Sequence, residues 1–248
     1  MGGFVPERAL RLAGKIAVVT GGGRGLGRAI ALALGREGAD VAISYHSSRS
    51  GAQGVADELA ALGRRAFLAP ADARGPGEIS RFVNDAAAAL GGIDVLVNNV
   101  GVFRRVPMGE IADEALDEAF SVNVKSAVMA TQAAAPHMRK RGGGSVVNIA
   151  SLGGIRPWRA YLPYCVTKAA MIMATECLAL ALAPDIRVNA VAPGVLDPPG
   201  AGDAVRGRIP QERFGSLEEA VESVLFLAAG ARYTTGEVLR VDGGRALA

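Results

Sequence analysis

The stretch KIAVVTGGGRGLGRAIALALGREG, residues 15–38, decides the fold. KIAVVT (15–20) is a short apolar run bounded by glycines and predicts a strand. GRAIALALGREG (27–38) carries Ala and Leu at helical spacing and stops at Gly38. Between them, TGGGRGLG (20–27) is a glycine turn. Strand, glycine turn and helix in that order suit a pyrophosphate. The glycines permit a tight turn and close backbone approach, and the helix N-terminus offers free N–H donors. The fingerprint G-x-G-x-x-G is not met, because Gly21 and Gly23 fit but Leu26 stands third. The spacing is instead T-G-x-x-x-G-x-G, through Thr20, Gly21, Gly25 and Gly27.

The same alternation runs down the chain. Strands are expected at DVAISY (40–45), RAFLAPAD, IDVLVNN (93–99), SVVNIAS (145–151), IRVNAVAPG (186–194) and GEVLRVDGG. Ala-rich helical segments separate them, and the stretch from DEALDEAF to RKRGGG is one long helix or two shorter ones. This order predicts an α/β fold: a doubly wound, mostly parallel seven-stranded sheet with helices on both faces, the Rossmann fold. Repeats and an interdomain linker are absent, so residues 1–248 form a single domain. The irregular stretch 195–213, VLDPPGAGDAVRGRIPQER, follows a strand end, where open α/β sheets bind ligands. A substrate loop is expected there.

Bulk properties narrow the class. A net charge of +3, with basic residues scattered, gives no stripe for nucleic acid. The densest basic cluster, MRKRGGG, reads as a helix C-terminus favoured by the helix dipole. Cys165 and Cys177, on one helix, stand ~18 Å apart, too far for a disulfide. With only His46 and His137 and no C-x-x-C, no metal site is expected. The opening residues lack a signal-peptide core, and Glu176 interrupts the most apolar helix. A cytoplasmic protein without nucleic-acid or membrane partners is expected.

Two tyrosines compete for one lysine in YLPYCVTKAAM (161–171). Tyr164 and Lys168 are four apart and share a helical face. Tyr161 precedes Leu162-Pro163; proline favours the first helical position and an extended predecessor, so Tyr161 stands outside the helix. A phenol near pKa 10 is a poor acid–base catalyst, and a nearby ammonium favours its phenolate. Tyr164 is therefore the expected proton donor.

The glycine spacing, NNVG (98–101), the asparagine of FSVNVKS, Ser151 thirteen residues before Tyr164, Y-x-x-x-K, APG (192–194) and VDGG (241–244) follow one another in order. Over about 15–245 the chain resembles the short-chain dehydrogenase/reductase family. The resemblance implies a catalytic tetrad of Asn123, Ser151, Tyr164 and Lys168. Ser151 would orient the substrate oxygen, and Asn123 would help hold a water linking the lysine to solvent. It also implies a nicotinamide dinucleotide against Gly21, Arg24, Gly25, Leu26, Gly27, Tyr45, His46, Ser47, Asp72, Asn99, Gly101, Tyr164, Lys168, Pro193, Gly194 and Val195. Asp72 takes the place of the family's adenine-contacting aspartate.

Asp40 lies about twenty residues past the glycines, yet it precedes its strand, whereas the ribose-reading acid should follow one. Tyr45 stands at the acid's usual place. Without a carboxylate there, His46, Ser47, Ser48, Arg49 and Arg24 can hold a 2′-phosphate, so NADPH/NADP+ is expected over NADH. Pro198 replaces the threonine that often holds the carboxamide. Trp158, Tyr161 and Leu196 are the substrate-side candidates, with Arg156 and the loop to Arg213 nearby.

The expected reaction is hydride transfer to a carbonyl or C=N group of a small molecule. YHSS, RPW and PGVLDPP look like pteridine-reductase-like members, while TGGGRGLG is the ordinary family form; a generic carbonyl or 3-oxoacyl-carrier-protein reductase is the competing reading. An intact tetrad argues against a dinucleotide sensor without catalysis. Ala/Met-rich faces on the helices around 113–138 and 163–183 suggest, by the resemblance, a homotetramer built as a dimer of dimers.

Overall fold

A computed structural model of the chain describes residues 9–196 and 203–248. Its strands are β1 (Ile16–Val19), β2 (Asp40–Tyr45), β3 (Ala66–Pro70), β4 (Val95–Asn98), β5 (Gly144–Ile149), β6 (Ile186–Pro193) and β7 (Val238–Val241). All pair in parallel in the order β3-β2-β1-β4-β5-β6-β7. The order reverses between β1 and β4, which opens a crevice at the carboxyl ends of those strands.

Alternation along each strand sorts the core onto two faces. Ala17, Val19, Val41, Ile43, Val95 and Val97 pack with helices α1 (Gly25–Arg36), α2 (Arg49–Ala61) and α8 (Leu217–Leu225). Ile16, Val18, Ala42, Leu96 and Val146 face the other way, onto α3 (Glu78–Leu90), α5 (Ser126–Lys140) and the C-terminal half of α6 (Leu162–Leu182). Both faces of each central strand are buried, as short continuous apolar runs require.

The stretch 113–140 is neither one plain helix nor two separate ones. Helix α4 (Asp113–Phe120) runs into α5 through a π-helical turn, Ser121–Lys125. A π turn widens the helix by one residue and redirects the side chains within it. Asn123 sits in that turn. The basic end of α5 is tied into the fold, with Arg139 paired to Asp185 and Arg141 to Asp94.

The stretch 195–213 contains a short helix, α7 (Asp203–Arg206), while Pro198 lies outside the described residues. Helix α6 starts at Leu162, so this residue before proline is helical rather than extended, and Tyr161 is the N-cap.

Candidate active site

The glycine turn is shaped by what it touches. Gly21 and Gly25 have φ of 69° and 52°, the left-handed region that favours glycine. A Cβ on Gly27 would strike the Gly21 carbonyl and the Asn99 amide. Asn99 Nδ2 donates to the carbonyls of Thr20 and Gly21 at 2.9 and 3.1 Å. The Thr20 hydroxyl accepts from the backbone N–H groups of Asn99 and Val100. The ends of β1 and β4 are thereby locked together at the crevice. Arg24 caps α1 with extended backbone and no side-chain hydrogen bond, and no acid stands in the first turn. The helix thus presents N–H donors and positive dipole to a cleft of about 550 Å³.

Gly21, Arg24, Gly25, Leu26, Gly27, Tyr45, His46, Ser47, Asp72, Asn99 and Gly101 all line this cleft. Ser48 does too, and Arg49 is the first residue of α2. Asp40 stands at the opposite end of β2, bonded to the Arg65 backbone N–H and guanidinium. Sequence reasoning missed several lining groups. Ser44 accepts a hydrogen bond from Gly21 N–H, and Arg74, Arg104 and Glu118 wall the outer end. Ser44 and Arg104 carry no sequence signal; Arg74 lies two residues past Asp72 but belongs to no motif.

A smaller hollow of about 260 Å³ adjoins the cleft and shares Leu26, Asn99 and Gly101 with it. Ser151, Tyr164, Lys168, Pro193, Gly194 and Leu196 line it. Lys168, on the buried face of α6, donates through Nζ to the Ile149 carbonyl at 2.7 Å. Its Nζ lies 5.8 Å from the centre of the Tyr164 ring. Ser151 lies two residues past the end of β5, and its Oγ accepts from Gly153 N–H at 3.0 Å. Asn123 lies behind the hollow, fully buried. Its Oδ1 accepts from Val102 N–H at 2.7 Å, and its Nδ2 donates to the Val102 carbonyl and the Thr167 hydroxyl. A Cβ on Gly101 would sit 3.3 Å from Asn123 Oδ1 and 3.6 Å from Lys168 Nζ, so only glycine leaves that gap open.

Val195 is the expected cofactor residue that reaches neither cavity; its carbonyl accepts from Gly215 N–H at 3.0 Å. Asp72 reaches the cleft, but its carboxylate is held by the Arg74 guanidinium rather than free for another donor. On the substrate side, Phe103 stacks on Tyr161 with ring centres 4.8 Å apart and meets Tyr164 edge-on at 4.7 Å. Trp158 lies over Tyr164 at 6.0 Å. Phe103 follows NNVG without a motif of its own and was not expected.

A profile of the short chain dehydrogenase family matches residues 15–208. The chain belongs to that family. An uncharacterised oxidoreductase of Mycobacterium tuberculosis is 40% identical over 245 residues, 94% of this chain and 93% of the relative. A 3-oxoacyl-[acyl-carrier-protein] reductase of Staphylococcus epidermidis is 34% identical over 93% of this chain and 98% of its own. Among solved structures, a short chain dehydrogenase of Burkholderia cenocepacia in complex with NADP matches with a TM-score of 0.91 and 40% identity, covering 96% of this chain and 100% of that one.

In this short-chain dehydrogenase, burial governs both ionisable groups of the hollow. It pushes the Tyr164 phenol above its ordinary value, and the Ser151 hydrogen bond pulls it only partly back. The lowering expected from Lys168 is absent, and the phenol, raised above its ordinary value, keeps its proton at neutral pH. Burial also lowers the Lys168 ammonium to about 8. An oxidoreductase of this family thus holds, at one hollow, a protonated phenol, a serine hydroxyl and a cation able to lose its proton.

Proposed function

We propose that this oxidoreductase reduces a carbonyl or C=N group with NADPH, and that Ser151, Tyr164 and Lys168 carry the proton chemistry. The convergence of these three side chains on one hollow, open to the glycine cleft, is the observation that supports it most. When bound, a nicotinamide dinucleotide would supply hydride to the substrate carbon. The α1 N-terminus and the glycine backbone hold its pyrophosphate. Ser151 donates to the substrate oxygen and stabilises the charge that develops there. Tyr164 gives its proton to that oxygen, and Lys168 favours the phenolate left behind. Asn123 fixes the turn beside Lys168, on the path by which the proton is replaced.

Preference for NADPH rests on Tyr45 at the end of β2 and on Arg24, Ser47 and Ser48 around the same part of the cleft. The Burkholderia relative solved with NADP supports the same reading. A kcat/KM for NADPH no greater than that for NADH would overturn it. For the substrate, the carrier-protein reductase of Staphylococcus favours an acyl thioester. The ring nest of Phe103, Trp158 and Tyr161 around Tyr164 favours a flat ring, as in pteridine reduction. NADPH oxidation measured with quinonoid dihydropterin, dihydrofolate, acetoacetyl thioesters and simple ketones separates these readings; inactivity on all of them removes both.

Helix α6 also supports self-association. It is 21 residues long with hydropathy 1.6, long and apolar enough to cross a bilayer by length and composition, and only 28% of that window is buried within the chain. Leu162, Val166, Met173 and Leu180 recur along its exposed side at helical spacing. A second copy covering this stripe accounts for it in a cytoplasmic homotetramer. Light scattering is expected to give four times the chain mass, and a monomer would refute the arrangement. The thiols Cys165 and Cys177 are free on the same helix, which fits a reducing compartment.

A further inference from the structure

Arg74 closes the outer end of the cofactor cleft, in the loop between β3 and α3, and none of the motifs accounts for it. Its guanidinium is fixed from one side. Nε donates to both Asp72 oxygens at 3.0 and 3.1 Å, and Nη2 to Asp72 Oδ2 at 2.8 Å. The backbone joins in, because Arg74 N–H donates to Asp72 Oδ1 and Asp72 N–H to Glu78 Oε2. Nη2 also donates to His46 Nε2 at 3.2 Å, so the guanidinium bridges the ends of β2 and β3. Nη1 makes no hydrogen bond among the described residues; its nearest charge is Glu118, 3.9 Å away and itself paired with Arg104. Half of the side chain remains exposed.

We propose that Arg74 is a specificity-determining residue for the cofactor, its outward N–H groups taking the 2′-phosphate together with His46. The inference rests on the NADPH reading above and adds a residue to it. Three physical reasons carry it. With Nε and Nη2 engaged by Asp72 and His46, Nη1 keeps both of its N–H donors for a phosphomonoester, and the planar guanidinium fixes where they point. Anchoring by Asp72 removes most of the side-chain entropy that a free arginine would lose on binding. Arg74 also screens the Asp72 carboxylate, which would otherwise repel a dianion at this end of the cleft. Asp72 stays ionised to about pH 2 beside Arg74, so the anchor persists throughout the working range.

The test is calorimetric binding of adenosine 2′,5′-bisphosphate and of adenosine 5′-monophosphate to the full chain, with no turnover required. The wild type is expected to favour the bisphosphate. Arg74→Ala should weaken the bisphosphate about 10- to 100-fold, the scale of a lost charge-assisted hydrogen bond, and leave the monophosphate within about twofold. Arg74→Lys should fall between, since it keeps charge and loses the fork. Arg74→Gln serves as the second neutral variant should the alanine chain fold poorly. A wild type without preference overturns the NADPH reading and this inference together. A wild-type preference that survives both neutral variants overturns the inference alone, as does equal weakening of the two nucleotides.

Discussion

Asn123 donates through Nδ2 to the Thr167 hydroxyl at 2.9 Å, which joins the π turn between α4 and α5 to the residue preceding Lys168. The Thr167 hydroxyl donates in turn to the Tyr164 carbonyl at 2.8 Å. The side chain that holds the turn therefore also holds the helix that carries Tyr164, the proposed proton donor. Asn123→Ala would leave the buried Val102 N–H without its partner. Unfolding by urea is expected to show a loss of about 2–4 kcal/mol, from three forfeited hydrogen bonds, one buried and two part-buried. A loss below about 0.5 kcal/mol would mean that the turn closes without the amide.

Tyr164→Phe removes the proton donor while keeping the ring packed against Phe103 and Trp158. Steady-state kcat/KM should fall by at least about 10², the usual scale for a general acid, with nucleotide affinity nearly unchanged. Near-normal turnover would place the proton donor elsewhere.

Lys168 has a folded value of about 8 against 10.5 for a free lysine, and burial is the cause. Between those values the unfolded chain binds more protons than the folded one, so stability rises with pH across the window. The penalty is full below pH 8 and fades toward 10.5. Lys168→Met should thus stabilise the fold at pH 7, by up to about 3 kcal/mol, less what the orphaned Ile149 carbonyl costs. The gain should shrink as pH approaches 10.5. Chemical denaturation at pH 7, 8.5 and 10 measures this, and a gain independent of pH contradicts a buried charge.

Gly27→Ala puts a methyl group against the Gly21 carbonyl and the Asn99 amide. Neither can retreat, because Asn99 is already bonded to the Thr20 and Gly21 carbonyls. Dinucleotide affinity should drop by at least about tenfold, equivalent to about 1.4 kcal/mol of disturbed cradle. Fluorescence titration with NADPH would expose the opposite result, an unchanged dissociation constant.

Ala160 holds φ at 64° just ahead of the Tyr161 cap, and its carbonyl accepts from Val106 N–H at 2.7 Å. That conformation costs a non-glycine residue about 1–2 kcal/mol. Ala160→Gly relieves it but frees the unfolded chain, so a net gain of up to about 1 kcal/mol in thermal stability is expected. A lower Tm would show that the methyl group packs to more effect than the strain costs.

Local chemistry is legible in a linear chain because its causes lie within a few residues. The glycine spacing at 20–27 and the Tyr164–Lys168 interval marked a strand-to-helix turn and a shared helical face, since turn geometry and a helical turn are short-range rules. The β-α order likewise predicted a parallel sheet with helices on both faces, and Asp40 is the first residue of β2, at the end away from the glycine turn. Other features required distant segments to meet. The π turn that holds Asn123 forms where it packs on α6; Arg74 meets His46 only because the ends of β2 and β3 come together; Phe103 stacks on Tyr161 only in the folded chain. Val195, expected at the cofactor, lines neither cavity, and its carbonyl accepts from Gly215 N–H. Even the proton affinity of Tyr164 was settled by burial, a property of the packed interior rather than of spacing along the chain.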